Sequence, residues 1–217
     1  MRVLPILFNT DMVRAILRTI NPKKATRRVI KEFIPDDAIW GYSALTPKGY
    51  ISCRGTFAVG YGEKFFKLPC QPEDILYVRE TWCVNPNFKE YYYKANRNNG
   101  VEAPYGLKWH PSIHMPKEAA RIWLRVKDVR VERLCDMKLN DFLNEGVCIR
   151  PEAFNDPENA YMQARNEFIK IWDSTIPKGQ QDLYSWAVRP WVWVIKFERC
   201  KKPEAAGEEN YNANDKK

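Results

Sequence analysis

Short runs of alternating apolar and polar residues, separated by turn residues, limit the fold of this chain more than any other feature. The runs lie at residues 29–33, 49–53, 56–59, 74–79, 91–94, 120–131 and 191–197. Successive side chains of a β-strand point to opposite faces, so each run predicts a strand with one buried face. The run at 49–53 is expected to pair with 56–59 across a turn near Arg54 and Gly55. The pattern as a whole predicts a mainly antiparallel sheet.

Helical spacing of apolar residues is confined to three segments, at 11–17, 138–144 and 157–172. Many strands with few helices predict the α+β class. The chain of 217 residues, 45% of them hydrophobic, is long enough for one domain with a core, which we place at residues 1–200. The polar residues 201–217 are expected to form a disordered tail. Segment 85–115 is expected to form a flap that contains a Tyr-rich strand.

Several classes of protein are excluded by what the sequence lacks. No apolar run approaches the roughly 20 residues that span a bilayer, so we expect a soluble, cytoplasmic protein that makes no membrane contact. The six cysteines are scattered without a Cys-x-x-Cys pair, which predicts reduced and mostly buried thiols. Pro111 lies between His110 and His114 and disfavours a helix that would align them, and no third ligand is nearby. We therefore predict neither a metal site nor a cofactor.

The excess of basic residues predicts an anionic partner. The formal net charge is +8, and such a charge accelerates encounter with anions without specifying one. Eight tryptophans and 11 tyrosines add flat rings on which a nucleic-acid base can stack, although most of these rings are expected in the core. This combination favours an anionic partner and leaves its identity open. The sequence does not determine the oligomeric state, for which we expect a monomer.

The segment 23–28 places four cations around the hydroxyl of Thr26. Lys23 precedes Thr26 by three residues and is expected to lie beside it on a tight turn or helix start. Neighbouring cations lower the pKa of a lysine and favour bound anions, so the segment is a candidate for catalysis or for phosphate binding. The alternative is an exposed basic turn that leads into a strand at 29–33.

Several segments together resemble the ASCH-domain proteins carried by phages and prophages. They are residues 5–8, 12–17, 23–28, 74–82 with Val78-Arg79-Glu80-Thr81-Trp82, 144–146 and 190–197. The resemblance extends in order over roughly residues 1–200. It implies a PUA-like fold, which is a small curved, mostly antiparallel β-barrel with a few flanking helices and a cleft beside the barrel. It also implies that the cleft binds RNA or a modified nucleotide and, for a phage or prophage protein, a bacterial host cell.

One bacterial branch of this family hydrolyses the amide of N4-acylated cytidine with a Lys, a Thr and a Glu, and the resemblance places these on Lys23, Thr26 and Glu145. Thr26 is then the nucleophile, Lys23 its proton acceptor and Glu145 the proton donor to the departing amine. The turn departs from the family pattern, because Asn21 and Pro22 replace a Gly-Arg pair and a lysine replaces a threonine at position 24. The structural alternatives are a turn cap for Thr26, a phosphate contact for Lys23 and a helix end for Glu145.

Nucleic-acid contacts are expected from further residues of the same cleft. The expected phosphate ligands are Lys24, Arg27, Arg28 and Arg79, and Trp82 is expected to stack on a base. Glu80 is more often an internal brace, paired with a neighbouring arginine, because buried charges are normally paired. We expect Lys23, Thr26, Arg79 and Glu145 to converge on one cavity.

Two other functions stay open at this point. One is a non-catalytic phage accessory protein that contacts a host protein or nucleic acid through its basic face. The other is a ribonuclease, for which the two histidines do not clearly supply an acid–base pair.

Overall fold

The computed structural model describes residues 1–97 and 102–203 and confirms the α+β class. The strands within these residues are β1 Val3–Leu7, β2 Ala25–Val29, β3 Ile39–Gly41, β4 Tyr50–Phe57, β5 Gly60–Lys67, β6 Ile75–Arg79, β7 Trp82–Asn85, β8 Glu90–Tyr93, β9 Trp123–Arg133 and β10 Trp191–Cys200. The α-helices are α1 Thr10–Leu17, α2 Leu139–Asn144, α3 Pro157–Thr175 and α4 Gln181–Tyr184. Most of the expected disordered tail, residues 204–217, lies outside the described residues.

The described strands form three separate sheets. The largest has five strands in the order β1-β6-β9-β10-β2, the second joins β3, β4 and β5, and the third is the β7–β8 pair. The prediction of mainly antiparallel pairing is confirmed, since β1 and β6 form the one parallel pair in these sheets. The five-stranded sheet is open in the described residues, with β1 and β2 as its edges. The described sheets do not close into a barrel.

The predicted turn at Arg54 and Gly55 is wrong. Strand β4 runs unbroken through both residues, and the turn to β5 comes at 58–59. Gly55 serves a close approach instead, because a Cβ on it would lie 2.7 Å from Pro35 Cγ. A lone glycine in an alternating run therefore marked packing against a neighbouring segment and not a chain reversal.

The strand expected at 29–33 is also shifted, because β2 begins at Ala25. It pairs with β10, with Ala25 opposite Lys196 and Val29 opposite Val192. The basic segment thus becomes the edge strand of the central sheet. Pairing with a strand far along the chain overrides the turn that local composition predicts.

Two cores lie on opposite faces of the central sheet, and β10 contributes to both. Val192 and Val194 pack with α2 and α3, whereas Trp193 and Ile195 pack on the other face with α1 and the second sheet. Residues opposite each other in an antiparallel pair share a face. Arg27, opposite Val194, therefore lies on the helical side, and Thr26 and Arg28 lie on the side of α1.

Most of the cysteine prediction is confirmed. All six cysteines are free thiols; Cys53, Cys70 and Cys83 are buried, and Cys148 is exposed. Burial raises the pKa of the Cys53 thiol to about 11.

None of the helices in the described part of the chain is both long and apolar enough to cross a bilayer.

Phe142 anchors the short helix α2 in the helical core, and its removal should be costly. Its side chain is fully buried, with ring centroids 5.4 Å from Phe168 and 5.8 Å from Tyr161. We expect Phe142→Ala to lower the free energy of unfolding by about 3–5 kcal/mol, because a cavity replaces the ring. Urea denaturation measures this. The matched control is Phe88→Ala, which removes a ring that is 77% exposed and should change stability by less than about 0.5 kcal/mol.

Candidate functional site

The chain leaves α1 in a loop that is tied to the ends of two helices. The backbone N–H of Lys23 donates to Ala15 O of α1 at 2.9 Å, and that of Lys24 donates to Asn144 O of α2 at 2.8 Å. The last carbonyls of a helix have no partner within it, so such contacts satisfy them. These two bonds fix the backbone of the loop immediately before β2 begins.

Helix α2 ends in a Schellman motif that places Glu145 against this loop. Gly146 has φ +89°, its N–H donates to Leu143 O at 2.9 Å, and the N–H of Val147 donates to Phe142 O at 3.1 Å. A Cβ at position 146 would lie 2.8 Å from Ala15 Cβ and 3.1 Å from Lys23 Cβ. Glycine is therefore needed both for the backbone conformation and for the close approach of α1 and Lys23.

Lys23 and Glu145 form a buried ion pair at this junction. Lys23 Nζ donates to Glu145 Oε2 at 2.5 Å and to Glu145 O at 2.8 Å. The two side chains are 1% and 6% exposed. Burial lowers the pKa of Lys23 from its ordinary value, although the carboxylate of Glu145 opposes the shift. The exposed basic turn that the sequence left open is therefore wrong for Lys23.

Arg27 holds the second oxygen of the same carboxylate. Its Nη1 donates to Glu145 Oε1 at 3.1 Å, while its Nη2 lies 2.5 Å from Glu132 Oε1 and 3.3 Å from Asp141 Oδ1. Burial opposes the charge of Arg27, but the three carboxylates outweigh it and raise its pKa. Its guanidinium is thus occupied by protein carboxylates and lies among buried groups. We expected a phosphate contact there, and the structure shows an internal brace for Glu145.

Thr26 lies on the opposite face of β2 from Arg27 and is 1% exposed. Its hydroxyl makes no hydrogen bond with any residue in the described ranges. Thr26, Lys23 and Glu145 line one cavity of about 490 Å³, which we call the Thr26 cavity. Its apolar walls come from α1, from the short segment between β1 and α1 and from the C-terminal half of α3, and they include Phe8, Met12, Phe168 and Trp172. Three of the four residues expected to converge do so.

Two arginines lining the Thr26 cavity have no carboxylate partner among the described residues. Arg28 Nη2 donates to Leu7 O at 2.6 Å, and its guanidinium carbon lies 5.3 Å from the ring centre of Phe8. Burial lowers the pKa of Arg28, although Glu145 opposes the shift. Arg18 Nη1 donates to Gly146 O at 2.7 Å. Each guanidinium keeps further N–H donors that can bind an electronegative oxygen of a ligand.

The structure does not bring Arg79 and Trp82 to this cavity. Arg79 Nε donates to Met115 O at 2.7 Å and its Nη2 donates to Ile113 O. The guanidinium of Arg79 therefore holds the chain at 113–115 in place. Trp82 is buried, with its ring centre 5.2 Å from that of His110. Both side chains are thus engaged by chain segments that follow them in sequence, which periodicity alone does not indicate.

Other predicted residues have different surroundings. Glu80 is a buried brace as expected, but its partner is Arg121 at 2.9 Å and not Arg79. Lys24 is exposed and lines a second cavity. The described part of the chain contains no group of three or more His, Cys, Asp or Glu side chains placed to hold a metal ion.

Sequence reasoning missed the carboxylates that support the site. Asp128, Arg130 and Glu132 alternate along β9 on the face toward the helices, and Arg130 Nη2 lies 3.0 Å from Glu132 Oε2. Charges at every second position of a long strand were the available signal, because they mark one polar face within an otherwise buried sheet. Their meaning depends on Arg27, which only the pairing of β2 with β10 brings near.

Comparison of the chain with protein-family models, with curated proteins and with solved structures finds no match. The functional assignment therefore depends on the geometry of the site and on the chemistry of its residues.

Comparing Gly146→Ala with Gly60→Ala should separate the steric cost of a Cβ at position 146 from the cost of the left-handed backbone conformation. We expect a loss of about 2–4 kcal/mol in unfolding free energy, since a Cβ would meet Ala15 and Lys23 in a backbone conformation that favours glycine. The control is Gly60→Ala, where φ is +107° but no atom lies within 4 Å of the added Cβ. It should lose only about 1–2 kcal/mol. Equal losses in urea denaturation would show that the contact with Lys23 is not restrictive.

Proposed function

We propose that the Thr26 cavity binds an N4-acylated cytosine and that its side chains hydrolyse the acyl amide. One observation carries the proposal: the unpartnered hydroxyl of Thr26 lines the same cavity as the buried Lys23–Glu145 pair. Amide hydrolysis needs a nucleophile, a group that accepts its proton and a group that protonates the departing amine. Thr26, Lys23 and Glu145 supply these three groups in that order.

The same proposal places the chain among the ASCH-domain proteins of the PUA-like class. The α+β architecture and the mainly antiparallel central sheet are compatible with that assignment. The described sheets are open, so the support comes from the site and not from a barrel. It consists of the three family residue types on one cavity, two of them in direct contact.

The reaction needs Lys23 as a neutral amine and Glu145 as a proton donor, and we call this state of the two side chains the neutral pair. Burial lowers the pKa of Lys23 and so favours its neutral amine, although the carboxylate of Glu145 opposes the shift. The hydrogen bond from Lys23 Nζ to Glu145 Oε2, at 2.5 Å, holds the base and the acid side by side. The neutral pair contains both groups that the reaction needs.

The reaction then proceeds in two steps. The Thr26 oxygen bonds to the acyl carbon as its proton passes to Lys23 Nζ, and the bond from this carbon to N4 breaks as Glu145 protonates the amine. Cytosine leaves, and an acyl ester of Thr26 remains beside the charged pair. In the second step water attacks the ester, Glu145 takes a proton from the water, and Lys23 returns its proton to the Thr26 oxygen. The carboxylic acid leaves and the neutral pair is restored.

The walls of the cavity suit a flat, uncharged base. Phe8, Phe168 and Trp172 contribute apolar atoms to the lining, and such walls accept an uncharged base more readily than a charged group. Arg28 and Arg18 are the cations suited to the negative oxygen that develops during acyl transfer, since they carry no carboxylate partner in the described residues. Both a base and a tetrahedral intermediate therefore have complementary groups in one cavity.

A binding module without turnover is the competing explanation. Lys23 would then only neutralise Glu145, and the network of Arg27, Glu132 and Asp141 would hold β2 against α2 and β9. This explanation accounts for the ion pairs. It gives no role to a threonine hydroxyl that is almost fully buried, faces the cavity and has no hydrogen-bond partner, which is why we favour catalysis.

Thr26→Val tests the nucleophile without disturbing the ion pair. The variant keeps the shape of the side chain and removes a hydroxyl that makes no hydrogen bond, so it should fold normally. We expect release of acetate from N4-acetylcytidine to fall at least about 100-fold, while Thr26→Ser retains measurable turnover. The control is Thr81→Val, which alters another threonine of the same cavity and should keep wild-type turnover. Hydrolysis by Thr26→Val at the wild-type rate, or none by the wild type, would exclude this mechanism.

The pH dependence of kcat reports on the protonation of Lys23. We expect kcat to rise with pH as Lys23 loses its proton, because only the neutral amine can accept the proton of Thr26. Burial lowers the pKa of Lys23, so the midpoint of this rise should lie below pH 10.5, the ordinary lysine value. Initial rates over a pH series, with circular dichroism to verify folding, measure this. Thr26→Ser should keep the same midpoint, and a rate that rises only above pH 10.5 would contradict the role of Lys23.

A further inference from the structure

A second cavity adjoins the Thr26 cavity and is lined by a cluster of cations. Its volume is about 460 Å³, and Lys23 contributes to the lining of both cavities. We call it the Lys196 cavity. Its four further cations come from the loop before β2 and from two neighbouring strands, and they are Lys24, Lys127, Lys196 and Arg199.

Most of these charges lack a carboxylate partner. Lys127 Nζ lies 3.3 Å from Glu198 Oε1, and Glu198 is the single carboxylate that lines the cavity. Lys24, Lys196 and Arg199 form no ion pair within the described residues. The contrast with Lys23 and Arg27 is clear, because their charges are neutralised by Glu145, Glu132 and Asp141. A concave surface that keeps three unpaired positive charges attracts an anion with several oxygens.

The backbone arranges this cluster through a β-bulge. The register between β10 and β9 shifts from Lys196 opposite Asp128 to Phe197 opposite Val126, which leaves Lys127 as the extra residue. At the same place the N–H of Phe197 donates to Lys24 O at 2.8 Å, so the loop is held against the bulge. A bulge turns a side chain away from its regular direction and is frequent beside functional sites. Here it brings cations from three segments to one cavity.

We propose that the Lys196 cavity binds a backbone phosphate of single-stranded RNA, next to the nucleotide whose base occupies the Thr26 cavity. The inference rests on the proposed function for the position of the base, and it extends that function by naming an RNA strand as the substrate instead of a free nucleoside. Lys24, Lys196 and Arg199 are the phosphate ligands. Lys23 lies between the two cavities, and its own charge is already paired with Glu145.

The test compares two double variants with the same change in net charge. Lys196→Gln with Arg199→Gln removes two cations of the cavity, and Lys48→Gln with Lys67→Gln removes two exposed lysines elsewhere. Binding of an unmodified single-stranded RNA is measured by fluorescence anisotropy over a series of salt concentrations, so the result does not depend on catalysis. We expect the cavity variant to lose at least about tenfold in affinity, and the log–log salt slope to fall by about 0.7 for each lost phosphate contact. The surface variant should lose far less.

The second arm measures hydrolysis with three substrates: N4-acetylcytidine, its 5′-monophosphate and a short RNA that contains one N4-acetylcytidine. We expect wild-type kcat/KM to be highest for the RNA, and the cavity variant to lower the ratio of RNA to nucleoside about tenfold. Equal RNA affinity for the two double variants would overturn the phosphate site even if hydrolysis is found. A gain limited to the monophosphate would overturn the RNA strand as the substrate. Absence of hydrolysis with the expected loss of RNA binding would refute the proposed chemistry and leave the phosphate site in place.

Discussion

The buried ion pair of Lys23 and Glu145 is the interaction on which the rest of the site depends. Removing two charges from water is unfavourable by several kcal/mol per ion, and such a pair persists only where further hydrogen bonds satisfy both groups. Here Glu145 receives Arg27 at Oε1 and Lys23 at Oε2, and the Glu145 carbonyl accepts a second bond from Lys23. Because each charge compensates another, loss of one member would leave a buried charge uncompensated. The same burial lowers the pKa of Lys23, which the proposed role as a proton acceptor requires.

The position of the pair follows from two backbone features. Gly146 ends α2 in a left-handed conformation and lets α1 and Lys23 approach as no side chain would allow. The edge strand β2 then divides its residues between two faces of the sheet, so that Arg27 meets the carboxylates on the helical side while Thr26 faces the cavity. Thr26, three positions after Lys23, thus reaches the same cavity because it lies in strand β2. The tight turn that the spacing suggests is not what brings the two residues together.

The basic side chains behind the net charge of +8 include two groups with different surroundings. Arg27 and Lys23 are buried and neutralised, so they stabilise a defined geometry and contribute little to long-range attraction. Lys24, Lys196 and Arg199 carry no carboxylate partner in the described residues and remain available to an anion. Reading every cation of the segment 23–28 as a phosphate ligand overlooks this difference, because burial decides whether a cation braces the protein or binds a partner.

The sequence by itself determined the α+β class, the mainly antiparallel pairing, helices α1 and α3 to within a few residues, and the glycine that ends α2, because periodicity and capping are local properties. It also indicated Lys23, Thr26 and Glu145 through a resemblance, and these residues do share one cavity. Only the tertiary structure decided that the basic segment is an edge strand, that Arg27, Arg79 and Trp82 are engaged within the protein, and that Lys196 and Arg199 join Lys24. The physical reason is that burial and charge compensation depend on partners far along the chain, as Lys23 and Glu145 are separated by 122 positions. Local patterns determine which elements form, and the packing of those elements determines which charges remain free to act.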